Sequence, residues 1–139
     1  MTPTEMKLRT KQFAHRCIKL TAALPTTYLA DHIAGQLIRA STSVAANYRA
    51  ACVAQTTKSF VLKISISLEE CDESHFWLEF IADENLIPLI RLQPLIKEAA
   101  ELTSILIASR KTAESKLKNE RTMRKELINN QSTLINNKK

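Results

Sequence analysis

The sequence predicts an all-α protein, an antiparallel up-down-up-down four-helix bundle. Three observations predict it. A chain of 139 residues has the size of one domain. One glycine, Gly35, and four prolines are too few punctuators for a many-turned β-sandwich or barrel. Apolar residues also recur at steps of three and four in four long segments with short breaks between them, and short connections force successive helices to lie antiparallel. A hydrophobic share of 45% places the chain above the range of disordered sequences. The shortage of glycine excludes Walker and Rossmann phosphate cradles, which need several glycines at fixed spacing.

The first helix is predicted over residues 4–23, with Leu8, Phe13, Cys17, Ile18, Leu20 and Leu24 as its apolar side. Pro25 breaks it, because a proline disfavours helical geometry in the residue before it. The second helix, 27–54, has a stripe of Ile33, Leu37, Ala40, Val44, Asn47/Tyr48 and Ala51. Thr56-Thr57 offers an N-cap for the third, 57–83, whose stripe is Phe60, Ile64, Leu68, Cys71, His75 and Leu78. Residues 84–91 read as a connection, followed by a fourth helix with Pro94 in its first turn. Leu95, Ala99, Leu102, Leu106 and Ser109 form its seam. Ile96, Ala100, Thr103 and Ile107 make a second row, with Ile105 beside it, and Leu62, Ile66, Trp77 and Phe80 flank the third helix. Stripes wider than one core absorbs predict self-association. Residues 1–115 are the bundle domain; 116–139 are a basic, Asn-rich C-terminal extension, partly helical or disordered, with 130–139 expected to fray.

The net charge of +6 is unevenly placed: +7 over residues 1–63, −6 over 64–115 and +5 over 116–139. Such blocks suit complementary packing within or between subunits, and cations left over suit nucleic acid. Three cysteines without a CxxC pair, Cys17, Cys52 and Cys71, disfavour a disulfide framework and a zinc site. The polar start lacks the apolar core of a signal peptide, and no apolar run reaches membrane-spanning length, so the expected compartment is a reducing cytoplasm with no membrane partner.

Two stretches are more than generic helix. One is Arg39-Ala40-Ser41-Thr42-Ser43-Val44-Ala45-Ala46-Asn47-Tyr48-Arg49-Ala50-Ala51-Cys52. The other is Phe60-Val61-Leu62-Lys63 followed by Ile66-Ser67-Leu68-Glu69-Glu70-Cys71-Asp72-Glu73-Ser74-His75-Phe76-Trp77-Leu78-Glu79. With Leu95-Ile96-Lys97-Glu98-Ala99 in the fourth helix, they resemble the bacterial four helix bundle protein family, also called the 23S ribosomal RNA intervening-sequence protein family. The resemblance covers about residues 8–113 and is carried most specifically by NYRAAC and EExDExxxWLE. It implies a small antiparallel bundle assembling as a ring-like homopentamer, and no enzymatic activity. The accessory protein of diversity-generating retroelements is similar in fold, a basic pentamer that binds nucleic acid and a reverse transcriptase. Where other branches read Asn-x-x-Glu-Gly at the end of helix two, this chain has Asn47-Tyr48-Arg49-Ala50-Ala51.

Antiparallel pairing of helices two and three about a loop near 55–57 sets Arg39 beside Asp72 and Glu73 of the acidic cluster that also holds Glu69 and Glu70. Arg49 falls near Lys63, so it is a candidate for a bridge between subunits. Asn47, on an apolar stripe, is expected to make a register-fixing hydrogen bond. A di-metal site needs Glu-x-x-His on two helices, and only Asp72-x-x-His75 approaches it, so no metal or other cofactor is expected. Ser41, Ser43 and Cys52 lack a His–acid relay, so no catalytic residue is assigned. Trp77 and Phe80 read as core or interface, with base stacking as the alternative. Nucleic acid is the favoured ligand. Lys7, Arg9, Lys11, Arg16 and Lys19 on helix one, and Lys116, Lys118, Arg121, Arg124 and Lys125 in the extension, are the candidate contacts for RNA or DNA phosphates. The other reading is a protein-interaction ring for a genetic-element partner such as a reverse transcriptase, without nucleic-acid contact.

Overall fold

A computed structural model describes residues 1–138. It holds four helices in chain order, α1 (Pro3–Thr21), α2 (Tyr28–Cys52), α3 (Thr57–Asp83) and α4 (Leu89–Asn137), and no strand among the described residues. Threonines start the first three. Thr2 and Glu5 form a reciprocal capping box, Thr27 accepts from the Ala30 amide, and Thr56 accepts from the Ser59 amide. Two residues past the end of α3, Asn85, with a φ of 55°, turns the chain so that the Leu86 amide reaches back to the Ile81 carbonyl. Asparagine tolerates this left-handed geometry, which a β-branched residue would resist.

The helices pack in chain order, α2 on α3 and α3 on α4 most extensively, with a thin seam closing α1 against α4. Phe13, Ile33, Leu37, Val44, Ile64, Leu78, Leu102 and Leu106 fill the core. The stripes of α2 and α4 run as the sequence predicts, the latter starting a turn earlier at Leu92 and ending at Ala113. α1 instead buries Met6, Thr10, Phe13, Ala14 and Cys17, leaving Leu8 and Ile18 exposed. Thr10 can face inward because its hydroxyl donates to the Met6 and Lys7 carbonyls. In α3 Ser74 takes the buried place expected of His75, donating to the Glu70 carbonyl at 2.8 Å. His75 sits half-buried at the edge, 2.6 Å from Glu79.

Asn47 does not tie two helices together. Half-buried, its amide donates to the Ser43 carbonyl and hydroxyl within α2. The cross-helix bond is made by Ser67, whose hydroxyl donates to the Val44 carbonyl at 2.8 Å in the core. A serine reaches a facing carbonyl at close helix approach, whereas an asparagine on the stripe's margin satisfies itself one turn back.

Two expectations about α4 change. The helix begins at Leu89, so Pro94 lies in its second turn rather than its first. The carbonyl a proline leaves unpaired there belongs to Ile90, which is exposed and can meet water. The same helix then runs unbroken to Asn137, where fraying is expected from 130 onward; Lys139, also within that expectation, lies outside the described residues. Leu117 is the last half-buried residue of α4, and everything from Lys118 to Lys138 is exposed.

Candidate nucleic-acid interface

Alternating helix direction turns blocks of charge along the sequence into charge at the two ends of the bundle. One end gathers the starts of α1 and α3, the finish of α2 and the middle of α4. It holds Lys7, Lys11, Arg49, Lys58, Lys111, Lys116 and Lys118, against Glu5, Glu114 and Glu120. The other end holds residues 69–83 of α3 and the cap Glu84, a stretch with seven carboxylates and no lysine or arginine of its own.

At the basic end Lys7 and Lys11 of α1 and Arg49 of α2 line a groove of about 550 Å³ together with Leu8, Ala45, Ala46 and Val53. Lys7 and Lys11 stand one turn apart. None of the residues lining the groove is acidic, and none of the three cations takes part in an ion pair among the described residues. Arg49 therefore joins the α1 lysines, a position that the antiparallel register of α1 and α2 produces and the sequence alone does not display. A second groove, of about 500 Å³, is lined by Lys118, Arg121 and Lys125 of α4 together with Val61, Leu117 and one carboxylate, Glu114. Lys116 borders a wider cleft of about 780 Å³ between the α2–α3 loop, Phe60 and α4. Arg124 is exposed on the same projecting helix.

Three of the α1 candidates behave differently. Arg9 is committed to the closing seam: its guanidinium donates to both Glu98 carboxylate oxygens, at 2.5 and 3.0 Å, and to Glu101 at 2.5 Å. This fork holds the Glu98 carboxyl below its ordinary range, chiefly through the hydrogen bond to Arg9, and raises the Arg9 guanidinium in turn. Arg16 and Lys19 are exposed but lie on the half of α1 that runs toward the acidic end. Register against α4, invisible within α1 itself, separates Arg9 from the two lysines, and place along the helix separates Arg16 and Lys19.

At the acidic end Arg39 reaches from α2 to Glu70 at 3.0 Å and to Glu73. Asp72, expected as a partner, points outward with Glu69, because residues three apart share a helix face and their neighbours do not. Trp77 and Phe80 are half-buried, ring centroids 5.9 Å apart and edge-on, with Phe76 4.9 Å from Trp77 and His32 5.9 Å from it. The Trp77 indole Nε1 is buried without a partner among the described residues. These rings sit amid carboxylates, an unfavourable field for a polyanion.

The thiols are quiet. Burial pushes Cys17 up to about 12 and raises Cys71, so neither is an anion at neutral pH. Among the described residues no three of His, Cys, Asp and Glu gather in a group able to hold a metal ion. No described helix is long and apolar enough to cross a membrane.

Comparison with known proteins adds a family to this geometry. The family model described as 23S rRNA-intervening sequence protein matches residues 4–108. The chain belongs to that family. The match ends inside α4, so the projecting part of that helix lies beyond the span the chain shares with its family. A crystal structure of a protein with unknown function from the S23 ribosomal protein family of Bacteroides thetaiotaomicron is similar, with a TM-score of 0.71 and 28% identity. The similarity covers 76% of this chain and 98% of that one. No match is found among curated proteins.

Proposed function

We propose that this protein is a non-enzymatic, self-associating scaffold of the cytoplasm that binds structured RNA through the basic end of its bundle. One observation carries the reading: Lys7, Lys11 and Arg49 line a groove with no acidic residue at one end, while seven of the chain's fourteen carboxylates lie in residues 69–84 at the other. Lys7, Lys11 and Arg49 form one contact, and Lys118, Arg121 and Lys125 form a second on α4, with Arg124 beside them and Lys116 on the neighbouring cleft. No base-reading motif accompanies them, so binding is weakly sequence-selective and DNA of the same shape competes.

Self-association as a closed ring, five copies by the family resemblance, is supported by the apolar residues that α3 and α4 leave exposed, Leu62, Ile66, Phe76 and Ile107. A ring multiplies the basic field, and affinity grows with the number of phosphates engaged.

Filter binding of the full chain to a structured RNA across a salt series tests the reading. Binding that is strong at low salt and falls steeply as salt rises supports it; absence of binding at low salt, or indifference to salt and to removal of residues 116–139, contradicts it. A second reading, a protein-interaction ring, draws on the acidic end with its exposed Phe76. It predicts a protein partner whose binding is lost on reversal of Glu69 and Asp72 and untouched by Lys7→Ala or Lys11→Ala.

A further inference from the structure

The distal part of α4 is built differently from everything before it. Thr57 makes the last polar contact between bundle and helix, donating to Glu120 at 3.0 Å. Residues 121–137 then continue as helix for about 25 Å at the ordinary rise per residue. Leu127-Ile128-Asn129-Asn130 is repeated unchanged seven residues later as Leu134-Ile135-Asn136-Asn137. A seven-residue interval returns a side chain to nearly the same helix face. Met123, Leu127, Ile128, Leu134 and Ile135 accordingly lie within an arc of about 140° at helical spacing, and each is more than half exposed. Asn129 and Asn136 lie on the opposite side.

We infer that this segment is a pairing helix whose occupant is the same segment of a second copy of the chain, the Leu127–Leu134 stripes in contact and Gln131 at their centre. Three features select that occupant. From Leu127 to Asn137 no residue is charged, so two copies approach without ionic penalty and phosphate finds no cation to hold. A heptad repeat presents identical knobs at identical intervals, the condition for two copies to match each other, and a polar residue at the centre of such a seam fixes its register. A free helix of this length, with asparagine at four positions of the repeat, is marginal in water without a partner. A specific interface needs on the order of 1,000 Å² in total, a scale for which five exposed apolar side chains per copy supply the dry centre. The pairing is independent of the RNA reading, because it uses neither basic groove and requires no nucleic acid.

Disulfide formation without RNA tests it. In the full chain Gln131→Cys sits at the centre of the stripe for either direction of pairing, and Asn129→Cys sits on the far side. Under mild oxidation Gln131→Cys is expected to form an interchain disulfide on the order of 100-fold faster, through the higher local concentration of paired thiols. Adding Leu127→Glu and Leu134→Glu is expected to remove that advantage, while Asn136→Glu leaves it. Equal rates at positions 131 and 129, or a fast rate that survives the two glutamates, overturns the proposal. Circular dichroism of each variant shows the bundle still folded, since these residues are exposed outside it.

Discussion

At one end of the bundle Arg39 crosses from α2 to bind Glu70 and Glu73; at the other, Lys7, Lys11 and Arg49 share a groove with no carboxylate in its lining. Both ends have the same fold beneath them and the same kind of helix packing. They differ in whether charge is met inside the chain. The acidic end answers part of its own field, and the basic groove leaves its three cations unpaired among the described residues. Arg9 shows the boundary between the two: four residues along from Glu5 and two from Lys7 and Lys11, it is withdrawn into the seam by Glu98 and Glu101.

Removing the basic groove should produce the largest effect. Lys7→Ala, Lys11→Ala and Arg49→Ala together are expected to weaken RNA binding on the order of 100-fold at low salt, flattening the salt slope by about one per lysine or arginine that meets a phosphate. The matching change at the other end, Glu69→Gln with Asp72→Gln, is expected to leave the slope unchanged and to raise affinity slightly. A loss of affinity from the acidic-end variant would break the contrast between the ends.

The next effect falls on stability. Glu98→Ala leaves Arg9 with Glu101 as its one partner at the thin α1–α4 seam and is expected to cost about 1–2 kcal/mol in chemical denaturation. The pH dependence has a definite sign. The Glu98 carboxyl is held low in the folded chain, so its contribution is complete above the ordinary carboxylate value and is lost as pH falls through the depressed one. The wild-type chain should lose this contribution on acidification, and Glu98→Gln should start lower at neutral pH and lose less. Ser67→Ala, which empties the Val44 carbonyl of its buried donor, is expected to cost about 1 kcal/mol. Arg39→Ala should cost less, under about 1 kcal/mol, because its side chain is 48% exposed and its bridges are open to solvent. A cost from Arg39→Ala exceeding that of Glu98→Ala would mean that the acidic end, rather than the seam, holds the bundle closed.

Helix number, order and most of the interior are legible from apolar spacing, since Ile33, Leu37, Ala40 and Val44 can face inward together only on a helix. The α1 face is not, because a buried threonine satisfied by its own backbone, Thr10, looks polar in sequence while exposed Leu8 looks like core. Arg39 bound to the acidic cluster is readable from antiparallel pairing, but choosing Glu70 over Asp72 depends on which side chains share a face. The candidate site is half legible. Lys7, Lys11 and the α4 cations stand out as a run of charge, whereas Arg49 beside them and Arg9 lost to the seam are products of register between helices. The helix beyond 130 is hidden by asparagine, a poor helix former, although the repeat of Leu127-Ile128 at Leu134-Ile135 supplies a helical face.

The most direct measurement is photochemical cross-linking of bound RNA to the full chain, with the attached peptides mapped by mass spectrometry. Binding through the basic end predicts attachment around Lys7, Lys11 and Arg49 and along 116–125, with none in 69–84. Attachment at Phe76, Trp77 and Phe80, or at Arg16 and Lys19 without Lys7 and Lys11, would place the RNA at the opposite end and contradict it.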